Sequence, residues 1–356
     1  MFSKQSKISL LIYALTLCMI TGNLYGISVT DALGRSVQFD KAPVRIVVAG
    51  RGLLMVADAM YLFPGASARI VALEKITQGK DNFLSVVDPQ FQNKVILPIE
   101  VGPEQIAAAK PDAVILKSYM YQKLGRPLES LGIKVVCLDF ETPQQYERDI
   151  LTLGRIFQND ARVRQIISFY NTRLERIKGA LVKLHEDKKP SVLLMYYSER
   201  DGKIAFNVPP PSWMQTILVE SAGGHPIWKG AAAGKGWKKV GFEQIAVWDP
   251  DLIFITAYFS DVDEVVKKLY DDSTWCALRA VRENRLYAFP ADYYSWDQPD
   301  PRWILGLMWL ATKIHPDAFS DIDIMEEIQV FYKELYGQDE SAYYRYIHPL
   351  LNGDLP

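Results

Sequence analysis

Ten residues fall just past the carboxyl ends of apolar runs that read as strands, where an open α/β sheet presents side chains to a ligand. Arg51, Lys117, Tyr119 and Tyr121 come from the first half of the chain. Tyr196, Tyr197, Tyr258, Tyr293, Tyr294 and Trp296 come from the second. Tyrosine and tryptophan combine a broad apolar face with one polar atom, which suits a small molecule with an apolar rim. Arg51 or Lys117 could meet an anionic ligand. Trp213, Trp228 and Trp237 are weaker aromatic candidates.

Catalytic chemistry has no comparable pattern. There is no GxSxG elbow, no HExxH and no phosphate loop. Gly50-Arg51-Gly52 lacks both GxGxxG and a Walker lysine, and reads as a tight turn. The four histidines, His185, His225, His315 and His348, fall at the end of a long helix, a Gly-Gly turn, another helix end and the tail. They do not form the converging set that free zinc or manganese needs. His225 could still serve as an axial haem ligand with a tyrosine opposite. Cys137 and Cys276 are expected as inert core thiols. A net charge of −2 over 356 residues argues against a nucleic-acid partner. The expectation is a binding protein with no catalytic residues, no metal ligands and no resident cofactor.

The elements that position these residues are organised around a duplication. Residues 102–116 read GPEQIAAAKPDAVIL and residues 241–255 read GFEQIAVWDPDLIFI, with seven identities in fifteen positions at an offset of 139. That period is too long for a solenoid and suits two lobes of similar build. Each copy predicts a short helix with an acid near its positive end, a Pro-Asp stop and a buried strand. Around these lie a hairpin turning at Leu33-Gly34, a strand–glycine loop–helix step over 45–62, further strands at 70–73 and 133–138, and an irregular, polar stretch over 77–93. Apolar residues then recur at helical spacing, and residues 161–186 could form one helix of ~39 Å. The second half predicts strands at 191–197 and 204–207 around Asp201-Gly202, and a helix over 212–222 with Ser212 as N-cap. A loop over 291–297 and a helix starting at Pro301 or Arg302 follow. The fold class is α/β: two lobes of mostly parallel sheet flanked by helices, joined by a single long rigid helix. The expected boundaries are 27–158, 159–189 for the connecting helix, and 190–356 with a helical tail.

Residues 1–26 read as a signal peptide. Lys4 and Lys7 precede a thirteen-residue apolar run, 8–20, too short for a comfortable membrane span. Cleavage is expected after Gly26. Cys18 raises a lipid anchor, but Leu17 before it is too bulky for the usual pattern.

The ordered motifs VTDALGRSV, APVRIVV, GPEQIAAAKPDAVIL, LGIKVVCLD, VGFEQIAVWDPDLIFI and VRENRLYAFPADYYSWDQPDPRWILGLMWLA span nearly all of the mature chain. In order and spacing they resemble the metal-chelate class of ABC-transporter substrate-binding proteins, which take ferric siderophores, cobalamin, haem and related complexes. The resemblance implies a monomer in the periplasm or outside the cell, two lobes on a rigid helix, and a ligand held between the lobes. It implies that Glu104 and Glu243, one in each copy of the repeat, dock into arginine pockets of the membrane permease. It makes the cargo a small-molecule metal complex, most readily a ferric siderophore-like chelate. A corrinoid, haem, or a sensor role on the same fold are the alternatives.

Overall fold

The computed structural model describes residues 26–79, 81–182, 189–232 and 234–356. The expected leader, apart from Gly26, and the far end of the connecting segment with His185 lie outside the described residues.

Strands β1 (Ile27–Thr30) and β2 (Ser36–Phe39) form the expected antiparallel hairpin, its turn held by the Asp31 carboxylate accepting from the backbone of Leu33 and Arg35 at 3.0 Å each. The first lobe is a five-stranded sheet. It contains β3 (Ile46–Val48), β4 (Ile70–Glu74), β5 (Val95–Leu97), β6 (Ala113–Lys117) and β7 (Lys134–Leu138), in the order β5-β4-β3-β6-β7. All its pairs are parallel. Ala113 to Leu116 are wholly buried, as a central parallel strand covered on both faces requires. The strand order reverses between β3 and β6, the switch point where such sheets leave a crevice at their carboxyl ends.

The second sheet holds β8 (Ser191–Arg200), β9 (Lys203–Val208), β10 (His225–Pro226), β11 (Lys238–Val240), β12 (Leu252–Thr256) and β13 (Leu286–Ala288). Its order is β11-β9-β8-β12-β13, with β10 beside β8. β8, β10, β12 and β13 run parallel, while β9 and β11 are antiparallel additions.

The duplicated segments do the same work twice. Each helix, Pro103–Ala108 and Phe242–Trp248, starts after an extended glycine, Gly102 or Gly241, and buries one isoleucine completely, Ile106 or Ile245. Lys110 and Asp249, equivalent across the repeat, both take left-handed backbone with φ of +50° and +43° just before the shared proline. The shared aspartates then cap the start of the neighbouring strand. Asp112 accepts from the backbone N–H groups of Val44 and Arg45 at 2.9 and 3.0 Å, and Asp251 accepts from the backbone and hydroxyl of Ser191 at 2.7 Å each. Glycine, isoleucine, proline and aspartate of the repeat are thereby explained by the fold. Glu104 and Glu243 remain exposed in the first helical turn.

Between the lobes the helical stretch is two helices. Pro143–Phe157 ends at Gln158 with φ of +55°, and Asn159 caps Asp160–Leu181 by accepting from the Arg162 N–H at 3.0 Å. The described part of the second spans ~33 Å at ~1.5 Å per residue. It is tied to both lobes: Arg162 donates to the Leu62 carbonyl at 2.7 Å, Tyr170 donates to Pro301 at 2.7 Å, and Arg173 pairs with Glu327 at 2.7 Å.

Three local expectations are corrected. Ser212 does not cap its helix, which runs Met214–Ser221 after Trp213 with no side-chain cap. Cys276 is exposed in a turn rather than in the core; Cys137 is buried as expected. The stretch read as irregular includes the short helix Leu84–Val87, anchored by the fully buried Phe83.

Candidate ligand cleft

The carboxyl edges of the two sheets face each other. Gln78, in the loop leaving β4, donates to Gln298, in the loop leaving β13, at 2.6 Å. Beside it the Phe83 ring meets that of Tyr293 at 5.3 Å. The ends of β3, β6, β8 and β12 share these edges, so the residues that follow them border the space between the lobes.

The first-lobe wall forms at the switch point. Gly50 and Gly52 adopt φ of +88° and +78° on either side of the exposed Arg51. The Gly50 N–H donates to Glu74 at 2.7 Å, fixing the turn. Tyr119 donates its hydroxyl to the Arg51 carbonyl at 2.7 Å and leaves 56 % of its surface exposed. A Cβ on Gly52 would lie 2.5 Å from that hydroxyl oxygen, so only glycine permits the approach. Burial around the hydroxyl, then the Glu141 carboxylate, pushes the Tyr119 phenol up to about 12, with Arg51 opposing. Lys117 is buried, ion-paired with Glu141 at 2.5 Å and donating to the Asp139 carbonyl, so its charge is consumed internally. Tyr121 bonds Glu129 at 2.8 Å and lies under the Arg35 guanidinium at 4.1 Å.

Four half-buried aromatic rings make the second-lobe wall. Tyr196 and Tyr258 stack with centroids 4.5 Å apart and planes 24° apart. Trp237 lies 5.3 Å from Tyr196 and 6.2 Å from Tyr258, and Trp213 meets Trp237 edge-on at 5.4 Å. Behind this wall is a fully buried carboxylate, Asp297. Tyr258 donates to its Oδ2 at 2.5 Å and Gln215 to the same oxygen at 3.1 Å, while Ser295 donates to Oδ1 at 2.5 Å. Burial raises the Asp297 carboxyl above its ordinary value, against those three bonds. Burial, then the adjacent carboxylate, keeps the Tyr258 phenol well above its ordinary value.

The remaining candidates point elsewhere. Tyr197 alternates away from Tyr196 along β8, is buried, and bonds Glu199 at 2.8 Å. Tyr293, Tyr294 and Trp296 are buried in the loop after β13 rather than open to the cleft. Trp296 donates to Asp292 at 2.9 Å, and the Tyr294 ring lies 5.2 Å from the Arg302 guanidinium. Trp228 is core, donating to the Pro209 carbonyl at 2.9 Å. Of the ten cleft candidates, the structure brings Arg51 together with Tyr119 and Tyr196 together with Tyr258. It adds Trp213 and Trp237 from the weaker group. Gln215, Ser295 and Asp297 had no sequence signal, because a buried polar cluster carries no periodicity. Among the described residues no group of three or more His, Cys, Asp or Glu is placed to hold a metal ion.

This two-lobed architecture, with a crevice between opposed carboxyl edges, defines a solute-binding protein. Residues 63–293 match the family described as periplasmic binding protein, and the chain belongs to that family. It is 24 % identical over 346 residues to the molybdate-binding protein MolA of Haemophilus influenzae, covering 88 % of this chain and 93 % of that one. It is 22 % identical to the iron-uptake system-binding protein of Bacillus subtilis, over 54 % of this chain and 60 % of the relative. Among solved structures, an ABC transporter solute binding protein from Sulfurospirillum deleyianum superposes with a TM-score of 0.72 at 20 % identity, covering 90 % of this chain and 98 % of that one. The fold and family are those of substrate-binding proteins, not enzymes, and the family is extracytoplasmic.

Proposed function

We propose that the chain is the extracytoplasmic substrate-binding component of an ABC importer, and that it captures an iron complex, a ferric siderophore-like chelate, between its lobes. The observation that carries this reading is the contiguous wall of Tyr196, Tyr258, Trp237 and Trp213. Four half-exposed rings on one face are far more apolar surface than a small inorganic ion can cover, and they match the rim of an organic chelate. Arg51 on the opposite wall supplies a cation for an anionic complex. The Bacillus relative named for iron uptake supports the same cargo class. Delivery is to a membrane permease, docked through Glu104 and Glu243, which the repeat places at equivalent exposed positions. Corrinoid or haem cargo, or a sensor role, would use the same cleft.

A bare oxyanion is the second reading. The relative named as molybdate-binding covers most of the chain, and Arg51 sits in a glycine turn at the switch point, opening an eight-residue helix. Tryptophan fluorescence titration with a ferric tris-catecholate and with molybdate separates the two. Saturable quenching by the iron complex at micromolar concentration or below supports the proposal. Saturation by molybdate alone overturns it.

A further inference from the structure

The two connecting helices are pressed together at one end and separated at the other. At the closed end Gly154 lies against Val163, so closely that a Cβ there would be 2.0 Å from Val163 Cγ2. Toward Pro143 the helices leave a cavity of about 210 Å³ between themselves and the helix Trp303–Ile314. Its walls include Tyr146, Ile167, Tyr170, Leu174 and Trp303, and the exposed Glu147 stands at its mouth. It shares no residue with either wall of the ligand cleft.

The lining chemistry selects a class of occupant. The rings of Tyr146 and Tyr170 lie 4.9 Å apart, and those of Tyr170 and Trp303 stack at 5.2 Å, so the three hold one another in place. The tyrosine hydroxyls are satisfied: Tyr170 donates to the Pro301 carbonyl at 2.7 Å and lies 3.2 Å from the Tyr146 hydroxyl. The Trp303 indole N–H is not; it is buried and has no partner among the described residues. A buried donor left open is costly, and an acceptor delivered from the cavity would satisfy it. The Glu147 carboxylate joins no ion pair among the described residues, so its charge at the mouth disfavours an anion. An apolar cavity of ~150 Å³ already accommodates one benzene ring.

We propose that this cavity is a second small-molecule site, separate from the cleft, for a neutral single-ring aromatic molecule that carries a hydrogen-bond acceptor. A simple phenol is the minimal case. The ring packs among Tyr146, Tyr170 and Leu174, the acceptor meets the Trp303 N–H, and Glu147 turns anions away.

Three probes test it. p-Cresol has ring and acceptor, toluene has the ring alone, and 4-hydroxyphenylacetate adds a carboxylate. Methyl NMR of wild-type protein reads where each one binds. p-Cresol should shift the Ile167 and Leu174 methyl signals saturably at about millimolar concentration or below. Toluene should bind about tenfold more weakly, and 4-hydroxyphenylacetate should not saturate. Ile167→Trp and Leu174→Trp, which fill the cavity, should each abolish p-cresol binding, whereas Trp237→Ala in the cleft should leave it unchanged. Glu147→Gln should bring 4-hydroxyphenylacetate to within about threefold of p-cresol. A filled variant that melts well below the parent is set aside, and the wild-type methyl shifts then decide alone. Absence of saturable p-cresol shifts at these methyls overturns the proposal. So does p-cresol binding that both filled variants keep and Trp237→Ala loses, which would put the phenol in the cleft. Toluene binding as tightly as p-cresol overturns the assigned ligand class.

Discussion

Arg302, wholly buried in the second lobe, donates from Nη1 to Oδ2 of the wholly buried Asp58 in the first lobe at 2.7 Å. The same guanidinium donates from Nε to Asp292 at 2.7 Å, lies 3.5 Å from Asp300, and stacks 4.3 Å over the Phe83 ring. One cation thus gathers three carboxylates at the place where the lobes meet. Such a cluster is a poor source of net stability, because desolvation offsets the attraction, but removing one partner leaves buried charge uncompensated.

Cutting the pair should therefore be expensive. Asp58→Ala leaves a buried guanidinium short of a partner and should lower unfolding free energy by about 3–5 kcal/mol in urea titrations. With the pair intact and the connecting helix tied to both lobes, small-angle scattering should give nearly the same radius of gyration with and without ligand. A decrease of several Å on binding would contradict the rigid arrangement.

The cluster also sets a pH dependence. Burial raises the Asp58 carboxyl to about 6 and that of Asp300 to about 8, Arg302 opposing in both. Above the ordinary 3.8 the unfolded chain has released protons that the folded cluster still holds. This contribution to stability is greatest below that value and declines as pH rises toward 8, then levels off. Asp300→Asn should flatten the decline between pH 5 and 8 in thermal melts. An unchanged slope would remove Asp300 from the titration.

Exposure separates cleft aromatics from structural ones. Trp237→Ala and Tyr119→Ala should weaken ligand binding by about tenfold or more with melting temperature nearly unchanged. Tyr294→Ala and Trp296→Ala remove buried rings and should cost about 3–5 kcal/mol of stability. Normal affinity in both of the first pair would place the ligand elsewhere.

The repeat offers an internal contrast. Asp112→Ala and Asp251→Ala remove strand caps and should each cost about 1–2 kcal/mol, both carboxylates being partly exposed. Glu104→Ala and Glu243→Ala should leave stability and soluble-ligand affinity unchanged while impairing uptake, the double variant most. Normal uptake in the double variant would strip the glutamates of a docking role.

What the sequence revealed follows from range. The repeat is legible because its demands are local: an extended glycine, a left-handed residue before proline, an aspartate that caps the next strand. The strands themselves and the turn at Arg51 follow from apolar runs and glycines; their order in each sheet does not. The inward turn of Tyr293, Tyr294 and Trp296 was not legible, because a loop has no periodicity to separate its inner from its outer side. Arg302 reads in sequence as the start of a helix; its partner Asp58 lies 244 residues away, and no local pattern connects them. Asp297 is invisible for the same reason, since Gln215 and Tyr258 reach it only in the folded chain.

The central claim is that the cleft carries an iron complex. Metal analysis and absorption spectroscopy of protein isolated with its native ligand test it most directly. The account expects close to one iron per chain, with a visible absorption belonging to the bound complex that disappears when the ligand is extracted. Stoichiometric molybdenum without iron would contradict it.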